Sequence, residues 1–201
     1  MASTTISPKN VSELRTRTGA GMMDCKRALE EAGGDMDKAS EILRKKGIAK
    51  AEKRAGKVAS QGVVVSYLHH NAQVGSLVEL NCETDFVART EDFQQLARDI
   101  ALHVASADPI AVNPEEVPAD LLERERRIAE EQVAQEGKPE NIRGKIVDGK
   151  LKKFVAERTL LEQPFVRDDK KTVGQLIQEA SGKLGEVISV RRFVRFKIGE
   201  V

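Results

Sequence analysis

The sequence predicts an α+β fold, in which a small helical module precedes an antiparallel sheet that helices cover on one face. Two observations carry this expectation. Apolar and polar residues alternate in the segments 63–70, 77–82 and 187–198, as they do in half-buried strands. Elsewhere apolar residues recur at helical spacing, most clearly in 91–106, where they form one unbroken stripe. A helix-backed sheet with its other face open to solvent fits both periodicities.

The composition limits the classes of protein to which the chain can belong. Its 201 residues suffice for one hydrophobic core and a small extra module. Lys and Arg number 33 against 32 Asp and Glu, and this balance argues against a protein built to bind nucleic acid or a membrane. Cys25 and Cys82 lie far apart, as is typical of a reducing compartment. With no visible signal peptide or bilayer-spanning stretch, we expect a cytoplasmic protein.

Residues 1–54 are predicted to form a three-helix module. Ser7 is a suitable N-cap for the first helix, and the glycines at 19–21 separate it from the second. Asp35 is expected to cap the third helix, which should end at Gly47. The three helices carry few large apolar side chains, so we expect this module to be less stable than the rest of the chain.

Residues 55–201 are predicted to form the core domain, with a helical hairpin inserted at about 119–158. Gly137 and Pro139 mark the turn of the hairpin, because Gly commonly ends a helix and Pro commonly starts one. The two arms have opposite net charge, but each exposed ion pair contributes well under ~1 kcal/mol, so an apolar seam must hold them together. The residues expected in this seam are Leu121, Leu122, Ile128, Val133, Ile142, Ile146, Leu151 and Phe154.

The last predicted strand, 187–198, supplies much of the apolar face of the sheet. Alternate side chains of a strand point to opposite faces, so its two sets of residues should separate. The residues expected to face inward are Ile188, Val190, Val194, Phe196 and Ile198. Those expected on the opposite face are Arg191, Arg195 and Lys197. A sheet of about three strands also leaves edges that need covering.

The segment Glu79–Arg89 connects the end of a strand to the helix at 91–106. Thr84 is a good helix N-cap at the point where the strand pattern breaks. Phe86 lies outside the apolar stripe of the next helix, which is complete without it. Two interpretations are open. Phe86 packs in the core, as large apolar side chains usually do, or Asp85 and Phe86 form a wedge held out towards a partner.

Three segments of the chain resemble signatures of the bacterial elongation factor Ts family. The central one is Glu79–Arg89, which reads Glu-Leu-Asn-Cys-Glu-Thr-Asp-Phe-Val-Ala-Arg. An N-terminal block, Leu14–Leu29, and a downstream block, Leu160–Val166, resemble the other two. The three occur in the family's order, and the likeness runs from about Ile6 to the C-terminus. Because three separate blocks must coincide, the match is specific.

The resemblance implies a guanine nucleotide exchange factor for the GTPase elongation factor Tu, acting in translation elongation, and not an enzyme. Such a factor binds the GDP form, promotes GDP release by disturbing the Mg²⁺ and phosphate site, and stays bound until GTP displaces it. The resemblance assigns that disturbance to Thr84, Asp85, Phe86 and Val87, with Phe86 as the wedge and Asp85 as its polar companion. No cofactor, metal or direct nucleotide binding by this chain is expected.

The resemblance also implies an architecture. Residues 1–54 resemble a ubiquitin-associated-like three-helix domain, in which Arg15, Met22 and Met23 would grip the GTPase domain of the partner. The hairpin at 119–158 resembles the family's protruding coiled coil. The chain has one copy of the strand-and-helix core unit, as in the short members of the family. Those members pair two chains, so a homodimer is expected here.

Two alternatives from other classes remain open. One is an RNA-binding accessory protein that uses the basic return arm of the hairpin and the seven basic residues within 44–57, although the latter segment has no interleaved aromatic for base stacking. The other is a thiol enzyme that uses Cys82, although a cysteine on the apolar face of a strand is usually a packing residue.

Other kinds of site find little support in the sequence. The glycines at 19–21 follow a helix and lack a Gly-Lys-Ser/Thr ending, so they do not form a phosphate-binding loop. His69 and His70 are strand neighbours and are expected to point to opposite faces, which is poor geometry for one metal ion. We therefore expect no metal site, no nucleic acid partner and no membrane partner.

Overall fold

The computed structural model describes residues 6–52, 56–137 and 139–200. Its first elements are α1 (Pro8–Thr18), α2 (Met22–Glu31), α3 (Met36–Glu52), β1 (Gln61–Leu68) and β2 (Val74–Cys82). Next come α4 (Asp85–Ala88), α5 (Glu91–Ala107), a 3-10 turn (Pro114–Glu116), α6 (Ala119–Gln135) and α7 (Glu140–Arg158). The last described elements are β3 (Pro164–Phe165), β4 (Asp168–Thr172), α8 (Val173–Leu184) and β5 (Ser189–Lys197). This mixture of helices and strands confirms the predicted α+β class.

The chain divides into two compact units. The first unit contains the residues up to Val63 together with Leu80–Leu96 and Ile177–Ser189. The second unit contains Val64–Glu79, Ala97–Leu176 and the residues from Val190 onwards. The predicted boundary between residues 54 and 55 lies outside the described residues and stays a prediction. None of the described helices is long and apolar enough to cross a membrane.

Helices α1, α2 and α3 enclose a small apolar cluster. The Ser7 hydroxyl accepts a hydrogen bond from the Asn10 N–H at 3.1 Å, which confirms the predicted cap of α1. The Asp35 carboxylate accepts from the N–H groups of Asp37 and Lys38, both at 3.0 Å, which confirms the cap of α3. The buried members of the cluster are Val11, Leu14, Cys25, Ala28, Leu29, Ala39 and Leu43.

The prediction that α3 ends at Gly47 is wrong, because the helix continues to Glu52. The physical reason is a close contact between the backbones of α3 and α8. A Cβ atom placed on Gly182 would lie only 2.7 Å from the backbone carbonyl carbon of Gly47. The two glycines thus allow an approach that side chains would prevent, and this packing outweighs the low helix propensity of Gly.

The main sheet has the strand order β1-β2-β5, so β2 is its central strand. Ser76, Val78, Leu80 and Cys82 alternate along β2 and are all buried. The Ser76 hydroxyl donates to the backbone carbonyl of Ala101 on α5 at 2.7 Å, which ties this face of β2 to that helix. The predicted apolar stripe of α5 is confirmed, since its members are all buried: Phe93, Leu96, Ala97, Ile100, Ala101 and Val104.

The prediction for the last strand is only partly right. Ile188 and Val190 are buried, but Val194, Phe196 and Ile198 are exposed at 47%, 73% and 74%. The expectation that these three face inward is therefore wrong in the single chain.

The side chain that turns inward near this end of β5 is Arg195, which is only 10% exposed. Its guanidinium donates to the Ala105 carbonyl on α5 at 3.1 Å and forms ion pairs with Asp108 and Glu200. A buried charge is tolerated when it is paired and hydrogen-bonded in this way. The neighbouring apolar side chains consequently point to the other face of the sheet.

The helical hairpin forms as predicted from α6 and α7. Its seam is built from four buried side chains, Ala129, Val133, Val147 and Leu151, with Ile146 packed against them. Ile128 and Ile142, which the sequence placed in the seam, are exposed at 37% and 38%. The seam is thus made of smaller side chains than expected, and Lys138 in the turn lies outside the described residues.

A buried hydrogen-bond network around His103 holds the block Leu160–Val166 to α5. The Nε2 atom of His103 lies 3.0 Å from the Gln163 side-chain oxygen, and its Nδ1 atom accepts from the Val166 N–H at 3.2 Å. The Gln163 amide nitrogen donates to the backbone carbonyls of Ala107 and Glu157. Burial lowers the pKa of His103, and the bond to Gln163 offsets part of this shift.

The contact between Gly47 and Gly182 predicts opposite effects for two Gly-to-Ala changes in helices. Gly182→Ala should lower the free energy of unfolding by roughly 1–3 kcal/mol, because its Cβ would overlap the backbone of α3. Gly144→Ala in α7 has open space around the added methyl and should raise stability by up to about 1 kcal/mol. Urea titrations would measure both. Equal effects of the two changes would contradict the close crossing.

The uncharged state of His103 predicts a dependence of stability on pH. Since its pKa is lower in the folded chain than the ordinary value of about 6.5, the unfolded chain binds the proton more readily. The free energy of unfolding should therefore be at its plateau above pH ~7 and fall as the pH drops below ~6.5. His103→Leu should be less stable at pH 7.5 but show a shallower fall to pH 5.5. Parallel curves for the two proteins would refute this assignment.

Candidate partner-binding surface

The predicted contact residues lie where β2 ends and α4 begins, in a stretch that we call the corner segment (residues 82–89). Thr84 has an extended backbone, with φ −126° and ψ 155°, and its Oγ1 accepts from the Val87 N–H at 3.4 Å. The predicted N-cap is therefore confirmed. The helix that it caps is a single turn, because Thr90 caps α5 immediately afterwards through the Phe93 N–H at 3.3 Å.

Phe86 is 80% exposed, which rules out its interpretation as a core residue. Asp85 next to it forms an ion pair with Arg89 at 2.9 Å, one turn further along. Val87 is half-buried and Ala88 is buried, so the inner side of the turn is occupied by small apolar groups. The corner segment therefore presents an aromatic ring and a carboxylate side by side on its outer side.

Two carboxylates connect the corner segment to the loop between α8 and β5. The Glu186 carboxylate accepts from the N–H groups of Glu83 and Thr84 at 3.1 and 3.0 Å, and from the Thr84 hydroxyl at 2.6 Å. In return, the Glu83 carboxylate accepts from the Val187 N–H at 2.9 Å and forms an ion pair with Lys57 at 3.5 Å. The two segments thus exchange hydrogen bonds in both directions.

Cys82 is buried at the base of the corner segment. Its thiol donates to the Thr84 carbonyl at 3.1 Å, so it takes part in the turn. Burial raises the pKa of the thiol, and the negative charge of Glu186 adds to this shift. A protonated, buried thiol is a poor nucleophile, which argues against the thiol-enzyme alternative.

The three residues predicted to grip the GTPase domain lie on the helical module. Arg15 is exposed on α1, and Met22 and Met23 are 55% and 62% exposed at the start of α2. Exposed methionines offer an adaptable apolar surface, and their long side chains do not contribute to the buried cluster below them. Their role in binding stays a prediction.

The structure corrects the expectation for the histidine pair. His69 and His70 do not point to opposite faces, because β1 ends at Leu68 and their rings lie 4.2 Å apart. The Tyr67 hydroxyl lies 3.0 Å from His69 Nδ1, which occupies one nitrogen of this pair. Within the ranges that the structure describes, no group of three His, Cys, Asp or Glu residues could hold a metal ion.

The basic segment within 44–57 is only partly described. Its described members Arg44, Lys45, Lys46 and Lys57 each form an ion pair, with partners that are respectively Glu179, Glu41, Glu31 and Glu83. The side chains of Lys50, Lys53 and Arg54 lie outside the described residues. Since each described base lies beside an acid, the net positive charge that this part of the segment offers to phosphate is reduced.

Comparison with known proteins shows to which family the chain belongs. A sequence model described as Elongation factor TS matches residues 27–200. The chain belongs to the elongation factor Ts family. It is 57% identical over 195 residues to Elongation factor Ts of Desulforamulus reducens, covering 97% of this chain and 90% of that relative. It is 55% identical to the proteins of the same name from Fervidobacterium nodosum and Thermosipho melanesiensis, covering 97% of this chain and 99% and 100% of theirs.

Membership of the elongation factor Ts family implies nucleotide exchange on elongation factor Tu in translation. The near-complete coverage of two relatives shows that they have about the same length as this chain. The family assignment made from the three sequence blocks is thereby confirmed.

No sequence pattern pointed to the residue whose carboxylate binds the backbone of the corner segment. Glu186 lies about a hundred positions downstream and follows Gly185, whose left-handed backbone (φ +76°) ends α8. In the local sequence, Glu186 is simply the one charged residue of the four-residue loop 185–188. Only the folding of this loop against Glu83 and Thr84 reveals its contacts.

Proposed function

We propose that this member of the family is a guanine nucleotide exchange factor for elongation factor Tu that works through a wedge at Phe86. It binds the GDP form of that GTPase, promotes GDP release by disturbing the Mg²⁺ and phosphate site, and stays bound until GTP displaces it. The observation that carries the proposal is the aromatic ring presented, 80% exposed, on a capped corner of a chain of this family.

The chemistry of a GTPase site explains how such a wedge acts. Backbone N–H groups, a Lys and Mg²⁺ hold the bound diphosphate, and the ion neutralises most of its charge. An apolar ring that enters between elements of the partner moves the groups that hold the ion, and GDP is then bound more weakly. Linkage requires that nucleotide weaken the binding of the factor to the same extent, so incoming GTP releases it.

Asp85 is suited to the role of polar companion. Its ion pair with Arg89 is exposed, and exposed pairs contribute at most about 1 kcal/mol, so the carboxylate can leave it for donors on the partner. Thr84 and Val87 shape the turn through the cap, and we propose that they reach the same region of the partner. The four residues would act as one surface.

The remaining parts of the chain are proposed to enlarge the contact. Arg15, Met22 and Met23 would bind the GTPase domain, where an exposed methionine pair supplies apolar area. The C-terminal part of the core would bind another domain of the partner. In this scheme the chain itself binds no nucleotide, needs no cofactor and catalyses no chemical step, and its place in translation implies the cytoplasm.

Phe86→Ala is expected to slow the stimulated release of a fluorescent GDP analogue from elongation factor Tu by about thirtyfold. A central aromatic residue of an interface typically contributes 2 kcal/mol or more, and this figure converts to that factor. Stopped-flow fluorescence with the analogue preloaded on the partner measures the rate directly. A rate within twofold of the unmodified chain would refute the wedge.

Two control variants separate this effect from a loss of stability. Val58→Ala also shortens an exposed apolar side chain, 81% accessible, and should leave the release rate unchanged. Phe86→Ala should change the free energy of unfolding by no more than about 0.5 kcal/mol, as is usual at the surface. Phe93→Ala, which removes a fully buried ring of α5, should cost about 3–5 kcal/mol.

We further propose that the chain forms a homodimer through the face of the sheet that α5 does not cover. In β1 and β2 the exposed apolar residues include Val64, Leu68 and Leu77. Leu77 alternates with the buried side chains of β2, which face α5, and so points to the opposite face. Val194 and Phe196 of β5 likewise alternate with Arg195, which binds a carbonyl of α5.

This uncovered apolar face favours a second copy of the chain as its occupant. Contiguous exposed apolar residues of this kind commonly mark a protein interface. Glu79 lies two residues from Leu77 on β2, and Arg192 lies two residues from Val194 on β5. Their ion pair, at 2.8 Å, therefore lies on the same face as these apolar side chains. A two-fold interface uses the same patch on both copies, so that patch must complement itself, as an apolar centre with an internally neutralised ion pair does. Within the part of the chain that the structure describes, no second copy of the strand-and-helix unit covers this face.

Phe196→Asp is expected to shift the chain from dimer to monomer at micromolar concentration, because a charge would enter the centre of the interface. The fold should persist, since Phe196 is 73% exposed in the single chain. Sedimentation equilibrium gives the molar mass, and circular dichroism checks the fold. Val166→Asp, at a side chain 48% exposed outside this sheet, is the matched control and should leave the dimer intact. A monomeric unmodified chain would disprove the homodimer.

A further inference from the structure

We infer that Glu186 is the positioning residue that fixes the Phe86 wedge in place, an inference that rests on the exchange function proposed above. A wedge must meet its partner in one geometry, because misplacement by about 1 Å can remove most of the rate effect of a positioned group. Phe86 cannot obtain this geometry from packing of its own ring, which is 80% exposed. Its position must come from the backbone beneath it.

The helix that carries Phe86 is too short to supply this rigidity. Asp85–Ala88 is a single turn, and isolated helices of this length are not stable in water. Its end is supported by hydrogen bonds from the Thr90 and Gln94 side chains to the Val87 and Ala88 carbonyls. Its beginning is formed by Glu83 and Thr84. These are the residues whose backbone N–H groups bind Glu186.

The contacts of Glu186 immobilise the entry to this turn. One carboxylate oxygen accepts both backbone N–H groups, so it fixes the orientation of two consecutive peptide planes. The other accepts the Thr84 hydroxyl at 2.6 Å. Hydrogen bonds to a charged acceptor are about twice as strong as neutral ones. The hydroxyl is then oriented with a lone pair free for the Val87 N–H, which is the capping bond of the turn itself.

The return contact from Glu83 makes the arrangement reciprocal. Its carboxylate accepts the Val187 N–H at 2.9 Å, so the loop that carries Glu186 is held by the segment that Glu186 holds. Ser181 adds a hydroxyl hydrogen bond to the Glu186 carbonyl. Among the described residues Glu186 forms no ion pair, and the hydrogen bonds of its carboxylate all go to Glu83 and Thr84. Within the described residues, the contacts of this carboxylate are therefore all with the corner segment.

A double-mutant cycle tests whether Glu186 acts through Phe86. Glu186→Ala should reduce the stimulated release of fluorescent GDP from elongation factor Tu by about tenfold. Glu186→Gln keeps one acceptor oxygen and should fall between Ala and the unmodified chain. The variant with both Phe86→Ala and Glu186→Ala should be no slower than Phe86→Ala alone, because a positioned group that is absent cannot be misplaced. Glu115→Ala, at an exposed acid of the 3-10 turn, is the matched control and should be unaffected.

A spectroscopic readout measures the position of the ring without the partner. The chain contains no Trp and one Tyr, so Phe86→Trp introduces a single tryptophan at the wedge, whose fluorescence can be excited apart from that of Tyr67. Its steady-state anisotropy should drop when Glu186→Ala is added and should not change when Glu115→Ala is added. Equal anisotropy in all three proteins would overturn the inference.

Thr84 offers a second route should Glu186→Ala fail to fold. Thr84→Val removes the hydroxyl at nearly constant shape, and Thr84→Ser retains it. Thr84→Val should slow the stimulated release of fluorescent GDP and, when combined with Phe86→Trp, should lower the anisotropy of the tryptophan. Thr84→Ser should leave both quantities unchanged. Matching behaviour of these two variants would also contradict the mechanism.

The outcomes distinguish this inference from the function on which it rests. If Phe86→Ala releases GDP as fast as the unmodified chain, the wedge itself is refuted and the positioning role falls with it. If Phe86→Ala is slow while Glu186→Ala is not, only the positioning role is refuted. If the double variant is slower than Phe86→Ala by the full tenfold, Glu186 acts independently of the ring and the inference is wrong.

Discussion

The packing of α5 against one face of the sheet is the constraint on which most other features depend. Alternate side chains of a strand must point to opposite faces, so the burial of Ser76 and Val78 against this helix sends Leu77 to the other side. The same rule applies to β5, where the bond from Arg195 to the Ala105 carbonyl sends its apolar neighbours outward. One helix thus determines both a filled core and an uncovered apolar face.

The corner segment follows from the same arrangement. The apolar stripe of α5 is complete from Phe93 onwards, and the central strand ends in the buried Cys82, so the turn between them has little core left to fill. Its aromatic ring is consequently free to face solvent. The turn has few packing contacts, and polar contacts stabilise it instead. The carboxylates of Glu83 and Glu186 each accept hydrogen bonds from backbone N–H groups of the other's segment. An exposed turn with little packing of its own requires this kind of backbone support to keep one geometry.

Much of this structure could be predicted from the sequence wherever the signal was local. Caps at Ser7, Asp35 and Thr84 depend on a side chain and an N–H two or three residues away, and the structure has each of them. Where prediction failed, a partner distant in sequence decided the result. Gly47 reads as a helix end, but the backbone near Gly182 makes it a crossing point. The sequence likewise leaves open whether Phe86 lies in the core or at the surface. Helical periodicity identifies the residues that form the buried face of a helix, but it does not locate a residue outside that face.

The sequence by itself determined the α+β class, the helical hairpin and the family, and it predicted Thr84, Asp85, Phe86 and Val87 as contact residues. These depend on periodicity, capping and motif, which are properties of residues close together in the chain. The tertiary structure alone decided which face of β5 is buried and which residue holds the corner. Val190 and Arg195 are both largely buried although they lie five positions apart, so the alternation of burial is broken along β5, and the sequence pattern cannot say whether Arg195 or Phe196 turns inward. Glu186 and Thr84 meet only because the chain folds back over about a hundred residues, and no local preference encodes that meeting.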